Sequence, residues 1–139
     1  MINIRKATIQ DLDSIKKILV TKELGMDDPE YYVNYVKHLI KDDSSIFLVA
    51  KHTFKIVGII YGESDTKENW AEISGIAILK NYRMKGIGSQ LIKEFENIIY
   101  NKNIDNIELY AHIDTLAKYI HKLGYKRGFV YVHYMKELK

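Results

Sequence analysis

Several residue types and patterns that would define a class of protein are scarce or absent in this chain. Its 139 residues include no cysteine and one proline, so disulfides, thiolate metal sites and a cysteine nucleophile are excluded. No apolar run approaches the ~20 residues of a membrane span, and the chain does not open on a secretory leader pattern, so we expect a cytoplasmic protein without a membrane partner. The five histidines are dispersed without the paired spacing of a zinc site, so we expect no metal.

The charge balance is close to even. The 21 Lys and Arg residues against 18 Asp and Glu give a formal net charge of +3, which is too weak to predict a nucleic-acid partner. A length of 139 residues suits one hydrophobic core, and no repeat, linker or low-complexity segment divides the chain. We therefore expect a single domain over residues 1–139.

The most informative segment runs from a β-branched strand at 73–79, through a basic turn containing Gly86 and Gly88, into an amphipathic helix. Such a turn presents bare backbone N–H groups and a helix N-terminus to a phosphate. A plain strand-to-helix turn also uses glycine for its geometry, so the glycines alone leave both interpretations open. The spacing does not fit the dinucleotide fingerprint, because Leu91 occupies the place of the third small residue, and no P-loop Gly-Lys-Ser/Thr follows.

Two motifs in this chain resemble one known family. Arg83-x-x-Gly86-x-Gly88 looks like motif A of the GNAT N-acetyltransferase superfamily, with Ile76-Ala77-Ile78 before it resembling that family's central strand. Residues 116–125, which end in Lys-Leu-Gly-Tyr, are similar to the family's helix ending in Lys-x-Gly-Phe/Tyr. Two motifs in the right order, about 35 residues apart, are much more specific than either alone.

Periodicity along the chain predicts an α/β fold. Strands are expected at 2–7, 46–51, 55–62, 70–79, 106–112 and 129–136, and helices after Thr8, after Pro29, after Gly88 and around Ile120. Thr8 stands three residues before Asp11, the spacing of a helix cap. Hairpins require antiparallel pairs and the later crossovers require parallel ones, so the sheet should be mixed. The resemblance implies the same order, and we expect a GNAT-like mixed β-sheet of about six to seven strands flanked by about four helices.

The resemblance also implies acetyl-CoA as a co-substrate that enters where the fourth and fifth strands splay apart. In that arrangement the backbone N–H groups around Ile76, Ala77 and Ile78 hold the acetyl and pantetheine portions. The pyrophosphate is held by Arg83, Met84, Lys85, Gly86, Ile87, Gly88 and Ser89. No metal is implied.

The expected reaction is transfer of an acetyl group to a primary amine by direct attack in a ternary complex. Glu72, five residues before Ala77, resembles the general base of the histone acetyltransferase branch. Glu108, on the next strand, matches a position that carries a glutamate base in ribosomal-protein N-terminal acetyltransferases. Both glutamates can instead be solvated strand residues, and that alternative stays open.

The chain departs from the resembled pattern in the helix at 116–125. Many members place a tyrosine, the general acid for the thiolate, at the position that holds Ile120 here. Tyr119 lies one residue earlier, about 100° around a helix, and is expected to pack as core or to lie elsewhere on the helix. Water, Tyr131 or Tyr134 can substitute. Because of this departure, a non-catalytic acetyl-CoA-binding regulator on the same fold stays an alternative function. A nucleotide-binding domain is a third alternative.

The acceptor is expected to be a small-molecule or peptide amine, and two acidic segments favour a cationic one. The acidic residues of these segments are Glu23, Asp27, Asp28 and Glu30 in the first, and Glu63, Asp65, Glu68 and Glu72 in the second. The resemblance implies that both border the acceptor side of the cleft, opposite Lys80, Arg83 and Lys85, and such a charge split would draw a cation to one mouth. Ordinary soluble loops explain the same residues equally well. The oligomeric state is left open.

Overall fold

The computed structural model describes residues 1–19, 29–110, 117–128 and 134–138. Within them a mixed sheet of five strands has the order β1-β2-β3-β4-β5. The strands are β1 Ile2–Lys6, β2 Ser45–His52, β3 Lys55–Asp65, β4 Trp70–Ile78 and β5 Ile107–Leu109. The first four pair antiparallel, and β5 pairs parallel to β4. Parallel pairing follows from the helical crossover between β4 and β5, because two parallel strands cannot be joined by a hairpin.

Helices cover both faces of this sheet. They are α1 Leu12–Leu19, α2 Pro29–Lys41, α3 Ile87–Asn101 and α4 Ala117–Lys122. One buried cluster joins α1 and α2 to Phe47, Val49 and Ile59, and the other joins α3 to the opposite face of the strands around the fully buried Phe95. Side chains of α4 pack against this second cluster. The two faces are therefore distinct surfaces, which we call the α1–α2 face and the α3 face.

The α/β class, the mixed sheet and the four helices confirm the sequence-based expectation, but the described residues form five strands rather than six to seven. The expected last strand, 129–136, lies at 129–133 outside the described residues, and residues 134–136 are not in a strand. Strand β5 ends at Leu109, earlier than the expected 112, because Tyr110 has already left the ladder. Among the described helices, none is long and apolar enough to cross a membrane.

The start of the chain is held to the first helical turn by a charged contact. Asp11 accepts hydrogen bonds from the Thr8 backbone N–H at 2.8 Å and from both terminal nitrogens of Arg5 at 2.7 and 2.9 Å. The sequence predicted the Thr8–Asp11 cap, and Arg5 is an additional partner. The hydrogen bonds from Arg5, opposed in part by burial, hold the pKa of Asp11 down to about 2.

We expect Asp11→Asn to lower the stability at neutral pH by about 1–2 kcal/mol, since a charge-assisted contact is lost while the amide can still accept from Thr8. A folded-state pKa below the unfolded value means that this contribution is present above pH 4 and disappears as pH falls toward 2. Thermal unfolding of wild type and variant should therefore differ at pH 7 and converge near pH 2. The exposed Asp13→Asn is the control, and a gap that persists at pH 2 would contradict the assignment.

Candidate active site

The candidate site is an opening where β4 and β5 separate. Within the described residues the two strands pair at Ala71–Ile107, Glu72–Glu108 and Ile73–Leu109, and β4 continues to Ile78. A cavity lies beyond the last pair, lined by Ile73, Ser74, Gly75, Ile76, Ile92, Leu109, Tyr110, Tyr119 and Ile120. The opening is therefore bounded by the part of β4 beyond Ile73 and by side chains of α3 and α4.

An irregularity in β4 lies directly at this opening. Tyr61 of β3 pairs with Gly75 and Gly62 pairs with Ile73, so Ser74 has no partner across the ladder. A bulge of this kind bends the strand and leaves the polar backbone groups of the extra residue outside the ladder. The bulged residue, Ser74, belongs to the cavity lining.

Beyond the bulge, alternate backbone groups of β4 point toward the open side. Leu79 N–H donates to the Val57 carbonyl of β3 at 2.8 Å. Because successive residues of an antiparallel ladder point alternately to the two sides, the amides of Ile76 and Ile78 are directed away from β3. The amide of Ala77 is directed toward β3. The Ile78 carbonyl fits this pattern, because it accepts from Arg83 Nε at 2.8 Å on the side away from β3.

The turn after β4 ends in the N-terminus of α3. A short 3-10 segment, Lys80–Tyr82, leads to Met84 and Gly86, whose φ angles of 60° and 81° are both left-handed. Gly86 is the N-cap of α3, and a Cβ built there would meet no atom within 4 Å. Glycine is therefore required by the backbone and leaves open space above the turn. The first amides of α3, at Ile87, Gly88 and Ser89, have no acceptor within the helix.

The basic side chains of the turn are arranged around its backbone. Arg83 is tied to the end of β4 through its bond to Ile78, so it supports the turn as well as adding charge. Lys85 places its Nζ 5.7 Å from the ring centre of Tyr82, and Lys55 of β3 lies 5.8 Å from the same ring. Cations held near an aromatic face beside free helix amides favour an anionic ligand at this turn.

Tyr119 packs against the buried cluster of the α3 face, in line with the expectation that it packs as core, and it also lines the cavity. Both Tyr119 and Ile120 line the opening, and the Tyr119 hydroxyl lies 2.6 Å from Ser89 Oγ. A Cβ added to Gly88 would come within 3.2 Å of that hydroxyl, so the second glycine leaves room for the tyrosine. The 100° rotation considered only the direction of the Cα–Cβ bond, whereas the long phenol side chain reaches α3 from the neighbouring position. Tyr131 lies outside the described residues, and Tyr134 is exposed.

Three carboxylates form a row across the sheet beside the opening. Glu63 of β3 pairs with Glu72 of β4, which pairs with Glu108 of β5. Directly paired residues share a face, and Glu72 points opposite to its cavity-lining neighbour Ile73 because side chains alternate along a strand. The row therefore lies on the α1–α2 face, one residue from the point where β4 and β5 part.

The carboxylates of this row have different electrostatic neighbours. Burial, followed by the charges of Glu108 and Glu63, raises the pKa of Glu72. Burial and the charges of Glu63, Tyr31 and Glu72 raise the pKa of Tyr35 on α2, so the row faces that helix. Glu108 accepts a hydrogen bond from the indole N–H of Trp70 at 3.2 Å. A carboxyl with a raised pKa is the better proton acceptor of the set.

The structure brings most of the sequence-predicted residues together. It adds the carboxylate of Glu63 and the hydroxyl of Ser89 to the candidate site. Ile76 lines the opening, and the end of the turn adjoins it, because a Cβ on Gly88 would lie 3.2 Å from the Tyr119 hydroxyl and 3.9 Å from Ile76. Glu72 and Glu108 are adjacent on the opposite face. Glu63 was noticed only as part of an acidic segment, although its nine-residue separation from Glu72 in a predicted hairpin allows a cross-strand pair. The Ser89 hydroxyl was missed, because no local signal links it to a residue 30 positions away. Glu23, Asp27 and Asp28 lie outside the described residues.

Comparisons with known proteins agree with this architecture. Residues 12–129 match the model of the acetyltransferase (GNAT) family. An N-alpha-acetyltransferase from Sulfurisphaera tokodaii is 29% identical over 144 residues, covering 94% of this chain and 84% of the relative. A possible acetyltransferase from Clostridium difficile 630 has a similar structure, with a TM-score of 0.78, 27% identity and coverage of 100% and 99% of the two chains.

A more distant structure shares the fold alone. An aminoglycoside N-acetyltransferase in complex with CoA superposes with a TM-score of 0.85 at 15% identity, covering 98% of this chain and 95% of the other. The family match rests on most of the chain rather than on the glycine turn, and it includes both motifs that the sequence singled out. This chain belongs to the GNAT family of acetyltransferases.

Proposed function

We propose that the protein is an N-acetyltransferase that moves the acetyl group of acetyl-CoA to a primary amine by direct attack in a ternary complex. The observation that carries the proposal is the opening between β4 and β5. Tyr119 lines it on the α3 face, the turn at 83–89 ends beside Tyr119, and Glu72 lies on the α1–α2 face one residue before the last β4–β5 pair. Two substrates can therefore approach from opposite faces and meet at one gap in the sheet.

The chain offers suitable groups for acetyl-CoA along this opening. The α3 amides at Ile87, Gly88 and Ser89 and the nearby Lys85 suit a pyrophosphate. The amides of Ile76 and Ile78, directed away from β3, suit the amide-containing pantetheine arm and the thioester carbonyl. When bound, acetyl-CoA supplies an activated acyl carbon, and donors already fixed in the protein stabilise the negative charge that develops on its oxygen.

Glu72 is the proposed general base. A lysine-like amine with a pKa near 10.4 is mostly protonated at neutral pH, and removing that proton costs about 4–5 kcal/mol. A carboxylate beside the gap accepts the proton, directly or through one water, as the amine attacks. The raised pKa of Glu72 improves it as an acceptor, while Glu108 adds negative charge that favours the proton's arrival.

Tyr119 is the proposed general acid, in place of the residue expected at position 120. Its hydroxyl borders the opening from the α3 face, opposite the face of Glu72. When the C–S bond of the tetrahedral intermediate breaks, its electron pair passes to sulfur, and the phenol can donate the proton that completes the free thiol. Acid and base are then on the two sides of the reacting carbon.

The acceptor is proposed to be a cationic amine. Among the described residues, none of the three glutamates of the row forms an ion pair with a lysine or arginine, and their combined negative charge would attract a ligand cation. Several tyrosines stand nearby, with Tyr35 and Tyr61 in edge contact at 6.4 Å, and aromatic rings also attract ammonium groups. The relative from Sulfurisphaera tokodaii is named an N-alpha-acetyltransferase, which makes a peptide with a free α-amine a candidate beside small amines.

The charge preference can be tested with a matched series of four-carbon primary amines that end in an ammonium, a hydroxyl or a carboxylate. We expect kcat/KM to be highest for the diamine, by roughly tenfold over the carboxylate, and to fall several-fold between about 50 and about 500 mM NaCl. Glu94→Gln, an exposed change on α3 outside both acidic segments, is the control and should behave as wild type. Preference for the carboxylate, or a rate independent of salt, would reject a cationic acceptor.

The function itself is tested by release of free CoA thiol from acetyl-CoA in the presence of these amines and of a peptide with a free α-amine. We expect turnover that depends on the amine, with an acetylated product identified by mass. Calorimetric binding of acetyl-CoA without turnover on any amine would instead favour the non-catalytic regulator considered from the sequence. Failure to bind acetyl-CoA, with binding of ATP, would favour a nucleotide-binding domain.

A further inference from the structure

The hydrogen bond between Ser89 and Tyr119 joins two parts of the site that have different tasks. Ser89 is the third residue of α3, so its backbone amide belongs to the anion-binding turn. Its side chain contacts α4, because Ser89 Oγ lies 2.6 Å from the Tyr119 hydroxyl. The bond therefore spans the gap between two helices that do not adjoin in sequence.

Few of the described side chains around Tyr119 can form a hydrogen bond with its hydroxyl. The side chain is half-buried at the cavity wall, and the hydroxyl lies over Gly88, where a Cβ would approach it to 3.2 Å. Gly88 offers no side chain and the nearby Ile76 and Ile120 are apolar, although Ser74 and Tyr110 of the cavity lining also carry hydroxyl groups. Within the described residues, Ser89 is the hydrogen-bonding side chain in contact with the phenol.

We propose that Ser89 is a positioning residue, whose hydroxyl holds the Tyr119 phenol at the opening and donates a hydrogen bond to it during the reaction. This inference rests on the proposed function, and in particular on Tyr119 as the acid. If Ser89 donates, the proton of Tyr119 is directed elsewhere, toward the opening. If the direction were reversed, that proton would be engaged by Ser89 and unavailable to the leaving group.

The proton balance gives the bond a second purpose. As the C–S bond breaks, its electron pair moves to sulfur and the Tyr119 proton is transferred there, which gives the free thiol and a phenolate. The Ser89 O–H then donates to a charged oxygen, and such bonds are about twice as strong as neutral ones. The ammonium substrate gives up two protons as the amide forms: one leaves through Glu72, and the other returns through water to the phenolate. Ser89 thus stabilises a charge that exists only after proton transfer has begun.

The test compares Ser89→Ala, Tyr119→Phe and the double variant with wild type. We expect Ser89→Ala to lower kcat by about tenfold to a hundredfold, the effect of one hydrogen bond to a charged group. The KM for acetyl-CoA and the calorimetric affinity for CoA should change by less than about threefold, since the Ser89 amide is retained. In the Tyr119→Phe background, removing the Ser89 hydroxyl should have little further effect, because the two groups act as one unit.

Two more variants separate positioning from structure. Ser89→Thr keeps a hydroxyl and should recover most of kcat, while Gln90→Ala, at the next and exposed position of α3, should match wild type in kcat and in thermal unfolding. The inference would be overturned if Ser89→Ala lowered kcat by the same factor in the wild-type and Tyr119→Phe backgrounds. It would also be overturned if Ser89→Ala lowered only the affinity for CoA. If the wild type turns over and Ser89→Ala has the same kcat, only this inference is overturned. If the wild type turns over no amine, the proposed function is overturned as well.

Discussion

Glu72→Gln is expected to lower kcat by about a hundredfold to ten-thousandfold at neutral pH, the usual range for removal of a general base. Glutamine keeps the size and planarity of the carboxylate but cannot accept a proton. The anion-binding turn is on the other face of the sheet, so the affinity for acetyl-CoA should stay within about threefold of wild type. Steady-state kinetics and calorimetry on the same preparations measure both quantities.

The pH dependence gives a sharper form of this prediction. A base must be ionised to act, and burial and the neighbouring carboxylates raise the pKa of Glu72. The acid limb of kcat/KM in the wild type should therefore lie above the ordinary range of a glutamate. The variant should lose that limb, and its deficit should shrink at high pH, where more of the amine is already neutral.

Stability provides a check that the loss is chemical. A carboxyl whose pKa is raised by folding is ionised at a cost, so the folded state gains relative stability as pH falls through the raised value. Replacing Glu72 by a neutral amide should leave the unfolding temperature at pH 7 equal or slightly higher. Glu68→Gln serves as the matched control for loss of one negative charge. A Glu72→Gln enzyme with wild-type turnover at neutral pH would remove Glu72 from the mechanism.

Gly86→Val is expected to reduce the affinity for acetyl-CoA by at least a hundredfold. The residue caps α3 with a φ of 81°, and a Cβ there meets no protein atom within 4 Å. The new side chain would therefore project into the space above the turn, where a phosphate must approach the backbone closely. Calorimetry with CoA measures the loss without any need for an acceptor amine.

Backbone strain is the competing explanation for this loss, since a β-branched residue in the left-handed region costs about 1–3 kcal/mol. Asn103→Val is a suitable control, because Asn103 has a φ of 59° just beyond the other end of the same helix. Both variants should unfold at a lower temperature, but only Gly86→Val should lose CoA binding. A Gly86→Val protein with unchanged CoA affinity would contradict the assignment of residues 83–89.

The sequence by itself determined the features that depend on neighbouring residues. The glycine turn could be predicted because left-handed backbone and close approach require glycine at fixed spacing, as the φ of Gly86 illustrates. The cap between Thr8 and Asp11 and the apolar stripe of α3 follow equally local rules of hydrogen bonding and periodicity. Hairpin and crossover lengths were enough to make the sheet mixed.

Only the tertiary structure decided which distant side chains meet. Register brings Glu63, Glu72 and Glu108 into one row, and a one-residue bulge at Ser74 changes which groups of β4 face the opening. Such register depends on packing over the whole sheet, so no short window of sequence contains it. The placement of Tyr119 against Ser89 likewise depends on how α4 lies across α3, which the rotation of one helical position does not describe.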